Sequence, residues 1–500
     1  MMLTKMFALA LALALAACQR HDQPAAHTGS AGSAGSAVII VTKTELTYQG
    51  SGSASASKDP WVPTDASTVP ETAEAKKHRA DIALGRVASI MPKLAALREL
   101  TFDHDIPRMY QSTEDFRTFV HTEITKDLPK DKAADESAAL YHIGLLTKPG
   151  NLAELEEQAF TTQAGAYYDP VAKKFFLVMV PDSDLMLDTI SAHELTHGLQ
   201  DQHFDLQKFM PSGDQLDDDH QAVRRFVAEG DATFTMFLYS IAQMSGGKIT
   251  PKMIAMLRAQ LATFATMSPE DMIKQNAAGF GASLDPEIKK SVDAMGEIPM
   301  TVLVPMIDSY MQGALMVAAA YDRGGWKAVD ALYTNPPEST EQGLHPATKL
   351  FPTRDHPKAV TFSVAAARSE AEISNVVLGE LQWQIYFQLW LPAQKAIASE
   401  GWGGDRVKVT KNAAGKLTAW IATVWDTRKD ADEFKAAYVA SLAKRFPKGS
   451  GDPASATGFD RGDDAGKIYL NQNGLEVVAV DGAEANAKAV GELAAATKIR

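Results

Sequence analysis

His193-Glu194-Leu195-Thr196-His197 decides how the rest of this chain is read. The stretch lies in an apolar-periodic run from Leu185 to Leu206, and that periodicity predicts a helix. Two histidines four residues apart on a helix project from one face, so both imidazoles can reach a single metal ion. The glutamate after the first histidine then falls beside that metal, where it can take a proton from a bound water. His193 and His197 are therefore candidate ligands, and Glu194 is the candidate general base.

A catalytic zinc takes three protein ligands and keeps one position open for water. His203 has the offset of the last histidine in the longer pattern HExxHxxGxxH. That pattern needs a glycine midway to turn the chain back, and Gln200 stands there instead, with Gly198 two residues too early. Glu229 is the stronger candidate. From Phe226 to Met244 only Glu229 and Asp231 carry charge among apolar and small residues. A carboxylate buried in such a helix costs several kcal/mol unless something such as a metal compensates it. Gly230, Ala232 and Thr233 are small enough to let this helix approach the histidine helix closely, and the acidic stretch Asp214–Asp219 supplies its starting caps. One zinc ion on His193, His197 and Glu229 is the expected cofactor.

The N-terminus places this site outside the cytoplasm. One early lysine and a Leu/Ala run from Phe7 to Ala17 read as an export signal, since a spanning helix needs about 20 residues. The run ends Leu15-Ala16-Ala17-Cys18, and Cys18 is the only cysteine in the chain. These four residues resemble the lipobox of bacterial lipoproteins, which implies that Cys18 is the lipidation site, and with no second cysteine there is no intrachain disulfide to claim it. Residues 1–17 are thus the expected lipoprotein signal peptide, and 18–70 a flexible tether rich in Gly, Ser and Ala. Gln19 after the cysteine points to the outer membrane, in the periplasm or at the surface of a bacterial cell envelope. A net charge of −13 and a pI near 5.4 argue against nucleic-acid binding. The apolar stretch from Ile298 to Tyr321 contains Pro305, Asp308 and Gly313, and reads as a buried core helix.

Other elements follow from periodicity. Helices are expected over 71–100, with Ile82, Val87, Ile90, Leu94 and Leu97 facing the core, and over 113–127 and 133–145. Residues 164–168 and 174–179 make a hairpin around Asp169-Pro170. Past about 361 the pattern changes to an aromatic-rich helix over 376–391, hairpins around Asn412–Gly415 and Asn471–Gly474, and helices from Asp430 and Ala483.

His193–His197, the following Gly198–Leu206 and Glu229-Gly230-Asp231-Ala232 together resemble a bacterial and archaeal group of gluzincin-like HExxH metallopeptidases. Pro336–Gln342 with Leu344-His345-Pro346, and Gly401–Arg406, resemble further signatures of that group, so the likeness spans roughly 75 to 480. The resemblance implies a zinc peptidase acting on peptide or protein substrates and held to the membrane through its N-terminal lipid. In such enzymes the sheet edge before the motif helix holds extended substrate by backbone hydrogen bonds. The implied fold is α+β and mainly helical. A zincin-like metallopeptidase domain over 71–360 would carry a small sheet before the HExxH helix, and a C-terminal α+β domain would cover 361–500. Position 233 is threonine where thermolysin-like enzymes carry aspartate, so the carboxylate that orients a ligand histidine falls to Asp201 or Asp231, Asp201 being the easier geometrically. His345, Tyr167, Tyr168 and Tyr239 are candidate donors to a developing oxyanion. The alternative is a zinc-binding or structural lipoprotein that no longer cleaves.

Overall fold

The apolar spacing that predicts a first helix yields α1 (Ala73–Arg98), and the buried stripe runs through Ala80, Ala83, Val87, Ile90 and Leu94. Ile82 is 64% exposed, because alanines at 80 and 83 already occupy the inward positions of that turn. The computed structural model describes residues 7–8, 73–162, 165–181, 183–211, 213, 215–267, 271, 296–351, 353–363 and 370–500. Cys18 and the expected tether lie outside the described residues.

A small sheet precedes the motif helix. Strands β2 (Ala166–Asp169) and β3 (Lys174–Leu177) form the expected antiparallel hairpin, with Tyr167 opposite Phe176 and Asp169 opposite Lys174. The Asp169 carboxylate closes the turn by accepting from the N–H groups of Val171 and Ala172. Strand β1 (Arg108–Tyr110) pairs parallel to β3, which short-range patterning did not reveal. Phe7–Ala8 lies antiparallel along the other edge of β2, against Tyr168 and Tyr167.

Three long helices follow: α2 (Asp184–Phe204), α3 (Asp218–Met244) and α4 (Met300–Thr334). Ser183 caps α2 and Asp217 caps α3, each accepting a backbone N–H of the first turn. Gly230 does not serve the approach of α3 to α2. It meets α4 instead: a Cβ at Gly230 would sit 2.2 Å from the carbonyl carbon of Gly313, so the two backbones touch where both side chains are absent. Helix α4 bends at Gly324 and Gly325, the latter with a φ of +63°. It is long and apolar enough to cross a membrane, but 67% of its most apolar window is buried inside the protein, as expected of a core helix.

The C-terminal region carries a seven-stranded antiparallel sheet. Its strands are β4 (Ala371–Val376), β5 (Trp402–Lys411), β6 (Leu417–Trp425), β7 (Ser450–Asp452), β8 (Gly458–Asp460), β9 (Lys467–Asn473) and β10 (Glu476–Gly482), in the order β4-β5-β6-β10-β9-β8-β7. The helix Gly379–Trp390 and the Thr427-capped helix Arg428–Arg445 cover one face with Trp383, Tyr386, Phe387 and Phe434. One hydrophobic cluster runs from Ala83 to Ala479, so the helical body and this sheet share a core. The architecture is α+β.

The two outlying motifs turn out to be joints between these parts. Asp219 of α3 accepts hydrogen bonds from the backbone N–H and hydroxyl of Thr340, whose hydroxyl in turn accepts from Leu381 N–H. Asp405 is buried and accepts from Leu378 N, Gly379 N and the indoles of Trp383 and Trp402.

Candidate metal centre

Helix α2 brings His193 and His197 onto one face, with ring centroids 4.8 Å apart and planes at 83°. Helix α3 crosses opposite and presents Glu229. The two Nε2 atoms are 3.1 Å apart, and Glu229 Oε2 lies 3.2 Å from His193 Nε2 and 3.4 Å from His197 Nε2. All three are buried. For metal–ligand bonds of about 2.0–2.1 Å, the edge of a ligand tetrahedron is about 3.3 Å. The triangle of donors therefore has the dimensions of three corners of a zinc site, with the fourth corner left to another ligand.

The protonation states suit ligation. Burial, helped by the charge on His197, pulls His193 down to about 4, against the pull of Glu229. Burial works against ionisation of Glu229, but the pull of the two neighbouring imidazoles outweighs it and holds the carboxyl at about 2. Neutral imidazole and carboxylate are the forms that bind a metal.

The side chain behind His197 is Gln200, not a carboxylate. Gln200 Nε2 donates to Ala228 O at 2.9 Å and to Asp231 Oδ2 at 3.2 Å. A carbonyl and a carboxylate only accept, so the amide nitrogen must face them and Gln200 Oε1 faces His197 Nδ1, at 2.9 Å. His197 Nδ1 then carries the proton, and its Nε2 lone pair points into the triangle. Asp231 is itself clamped by Arg98, whose Nε and Nη2 donate at 2.9 and 3.2 Å, and by the Tyr333 hydroxyl at 2.9 Å. Arg98 lies over the Trp326 ring at 4.5 Å.

Glu194 is fully buried beside the triangle. Its Oε2 accepts the Tyr168 N–H at 3.0 Å, while its Oε1 has no hydrogen-bond partner. Burial and the charge of Glu229 push its carboxyl well above the usual range, against the Tyr168 N–H.

Several expectations are corrected. Asp201 serves the sheet and the helix end rather than a ligand histidine: it accepts from Tyr168 Oη at 2.7 Å, Lys173 Nζ at 2.7 Å and Leu206 N at 3.1 Å. The reason is angular, since Gln200, three residues after His197, faces the imidazole and the next residue points toward β2. His203, already set aside on sequence, donates its Nε2 proton to Thr101 O, 2.7 Å away, and the chain leaves α2 through Asp205 in a left-handed conformation with φ of +54°. His345 pairs with Glu380 at 2.9 Å instead of facing the triangle, and Glu380 raises its pKa against the effect of burial. Tyr167 bonds Gln111. Two groups beside the triangle had no sequence signal: Tyr310 of α4, whose ring lies 5.6 Å from that of His193, and Arg225, one turn before Glu229 on α3.

A second acidic group, Glu341, Asp355 and Asp426, surrounds Lys349, whose Nζ lies 3.0 Å from Glu341 and 2.7 Å from Asp355 and also contacts Asp426. A cation is already supplied there by the chain.

Among known proteins, a family model described as a domain of unknown function (DUF8575) matches residues 368–493, the region of the C-terminal sheet. No curated protein and no solved structure matches the chain. The matched region begins well after the triangle, so the chemistry of the site is argued from its own geometry.

Proposed function

We propose that this protein is a zinc-dependent metallopeptidase of gluzincin-like type with a zincin-like catalytic region, exported and lipid-anchored through Cys18 in a bacterial cell envelope. The observation that carries this reading is the donor triangle of His193 Nε2, His197 Nε2 and Glu229 Oε2, with edges of 3.1–3.4 Å. A carboxylate with one oxygen pinned and one open lies next to it.

Zinc held by these three residues supplies Lewis acidity, lowering the pKa of a water and polarising a carbonyl oxygen. Gln200 keeps the His197 lone pair aimed into the site. The Tyr168 N–H fixes Glu194 Oε2, leaving Oε1 to accept a proton from the attacking water and to return it to the leaving amine. Burial and Glu229 raise the Glu194 carboxyl, and a divalent cation in the triangle would oppose them and favour the carboxylate form that takes the proton. Burial of all four groups raises the strength of each of these interactions.

The test combines metal analysis with digestion of a broad peptide library. Glu194→Gln is expected to keep stoichiometric zinc and lose about 100-fold or more in hydrolysis, while His197→Ala loses metal and activity together. Zinc binding without any peptide cleavage by the wild type would favour the non-catalytic alternative.

A further inference from the structure

Arg225 is a buried cation with nothing to hold. It is 8% exposed, and no hydrogen bond or ion pair to it is made among the described residues. Other buried arginines among the described residues are ion-paired: Arg98 clasps Asp231 and Asp330, and Arg461 donates to Asp481 at 2.7 Å. None of its guanidinium nitrogens is fully enclosed, so the head group keeps an accessible edge with no anion on it, and arginine does not shed its proton at neutral pH. Burial does lower Arg225, to about 10, and the groups that oppose this are Glu229, Tyr310 and Glu156.

Its position gives the isolated charge a meaning. Arg225 and Glu229 are four apart on α3, so they share a face with Cβ atoms about 5–6 Å apart. Tyr310 borders both Arg225 and His193. Glu156 also stands near, but it makes no ion pair with Arg225, and its Oε2 is likewise without a partner. With Glu229 committed to a metal, the guanidinium has no carboxylate of its own within reach of an ion pair.

Resting on the peptidase reading above, we infer that Arg225 is the docking point for a carboxylate of the substrate residue next to the scissile bond, which makes the enzyme selective for peptides carrying an anion there. The carboxylate is either the α-carboxylate of a peptide C-terminus or an acidic side chain. Both present the same two oxygens to the fork of the guanidinium.

The experiment uses the zinc-loaded mature chain and three peptide hydroxamates of identical backbone, the hydroxamate serving as metal anchor. One ends in a free carboxylate, one in a carboxamide, and one in a carboxamide with an aspartate side chain on that residue. Calorimetry is expected to find one carboxylate form bound at least about tenfold more tightly than the neutral amide, in line with a charge-assisted hydrogen bond. Which form it is identifies the source. Arg225→Met is expected to bind all three alike, near the affinity of the amide, and Arg225→Lys to keep part of the preference. Arg225→Met should also raise the melting temperature, because it replaces an unpaired buried charge by an apolar side chain of similar length. A structural arginine would give the opposite shift. Equal binding of the three ligands by the wild type overturns the inference, as does a preference that survives in Arg225→Met. If the wild type holds no zinc and binds no hydroxamate, the peptidase reading falls and this inference with it.

Discussion

Gln200 stands where metallopeptidase chemistry more often places a carboxylate, and the exchange has a cost that Asp231 and Arg98 offset. A neutral amide raises the basicity of His197 less than a carboxylate does, but its two ends are distinct, so it fixes the tautomer unambiguously. Gln200→Ala is expected to weaken metal binding by about tenfold or more, read from competition with a chromophoric chelator, and Gln200→Glu should not recover it, because its second oxygen would face Ala228 O and Asp231 Oδ2, which only accept. Equal affinities for wild type and Gln200→Ala would remove Gln200 from the site. At the same scale, Glu156 makes stability depend on pH. Burial pushes its carboxyl up to about 7 from 4.5. Its folded value lies above the unfolded one, so its favourable share is complete below about pH 4.5 and is lost as the pH rises through about 7. The isosteric Glu156→Gln is expected to remove that slope, a change of about 3 kcal/mol between pH 4.5 and 8 in denaturant titrations.

At the scale of the elements, the crossing of α3 and α4 is set by two glycines. The Gly230 Cβ position lies 2.2 Å from Gly313 backbone, so no rotamer change relieves a side chain there. Gly230→Ala is expected to destabilise by about 2–3 kcal/mol or more and, because Glu229 is the neighbouring residue, to weaken metal binding as well. Gly85, inside α1, has nothing within 4 Å of its Cβ position, and Gly85→Ala should stabilise by about 0.5–1 kcal/mol. Thermal melts of the two variants give opposite signs if packing rather than helix propensity rules at position 230. The extent of helix α2 was legible from its apolar run, read over 185–206 and found over Asp184–Phe204, while its Ser183 cap and left-handed exit at Asp205 were not. Strand β1 was not, because a three-residue strand pairing parallel to β3 leaves no local periodicity to read.

For the whole molecule, the shared core makes the C-terminal sheet part of the scaffold that holds the site. Trp390 Nε1 donates to Gly144 O at 2.7 Å, His142 meets Asp481 O at 3.0 Å, and Asp219 of the Glu229 helix binds Thr340. A chain ending at Phe362 would leave the apolar partners of Leu381, Trp383 and Phe387 in water, and is expected to lose its near-ultraviolet circular dichroism or precipitate. A soluble, cooperatively melting fragment would contradict this. Burial of His193, Glu194 and His197 at 0% exposure also implies that a metal held there would leave only when neighbouring groups move apart. Chelator should therefore strip zinc at a rate that stops rising with chelator concentration and that mild denaturant accelerates.

Local chemistry alone determined much of this site. The four-residue spacing of His193 and His197 specifies one helical face whatever surrounds it, and the cost of burying a carboxylate in an apolar helix favoured Glu229 over His203. Periodicity says which side of a helix faces inward, but it does not say which other helix waits there. Gln200 behind His197, the Arg98 clamp on Asp231, Tyr310 beside His193 and the unpaired charge of Arg225 all depend on how α1, α2, α3 and α4 cross. Those crossings bring together residues more than a hundred positions apart, and only the tertiary structure decided them.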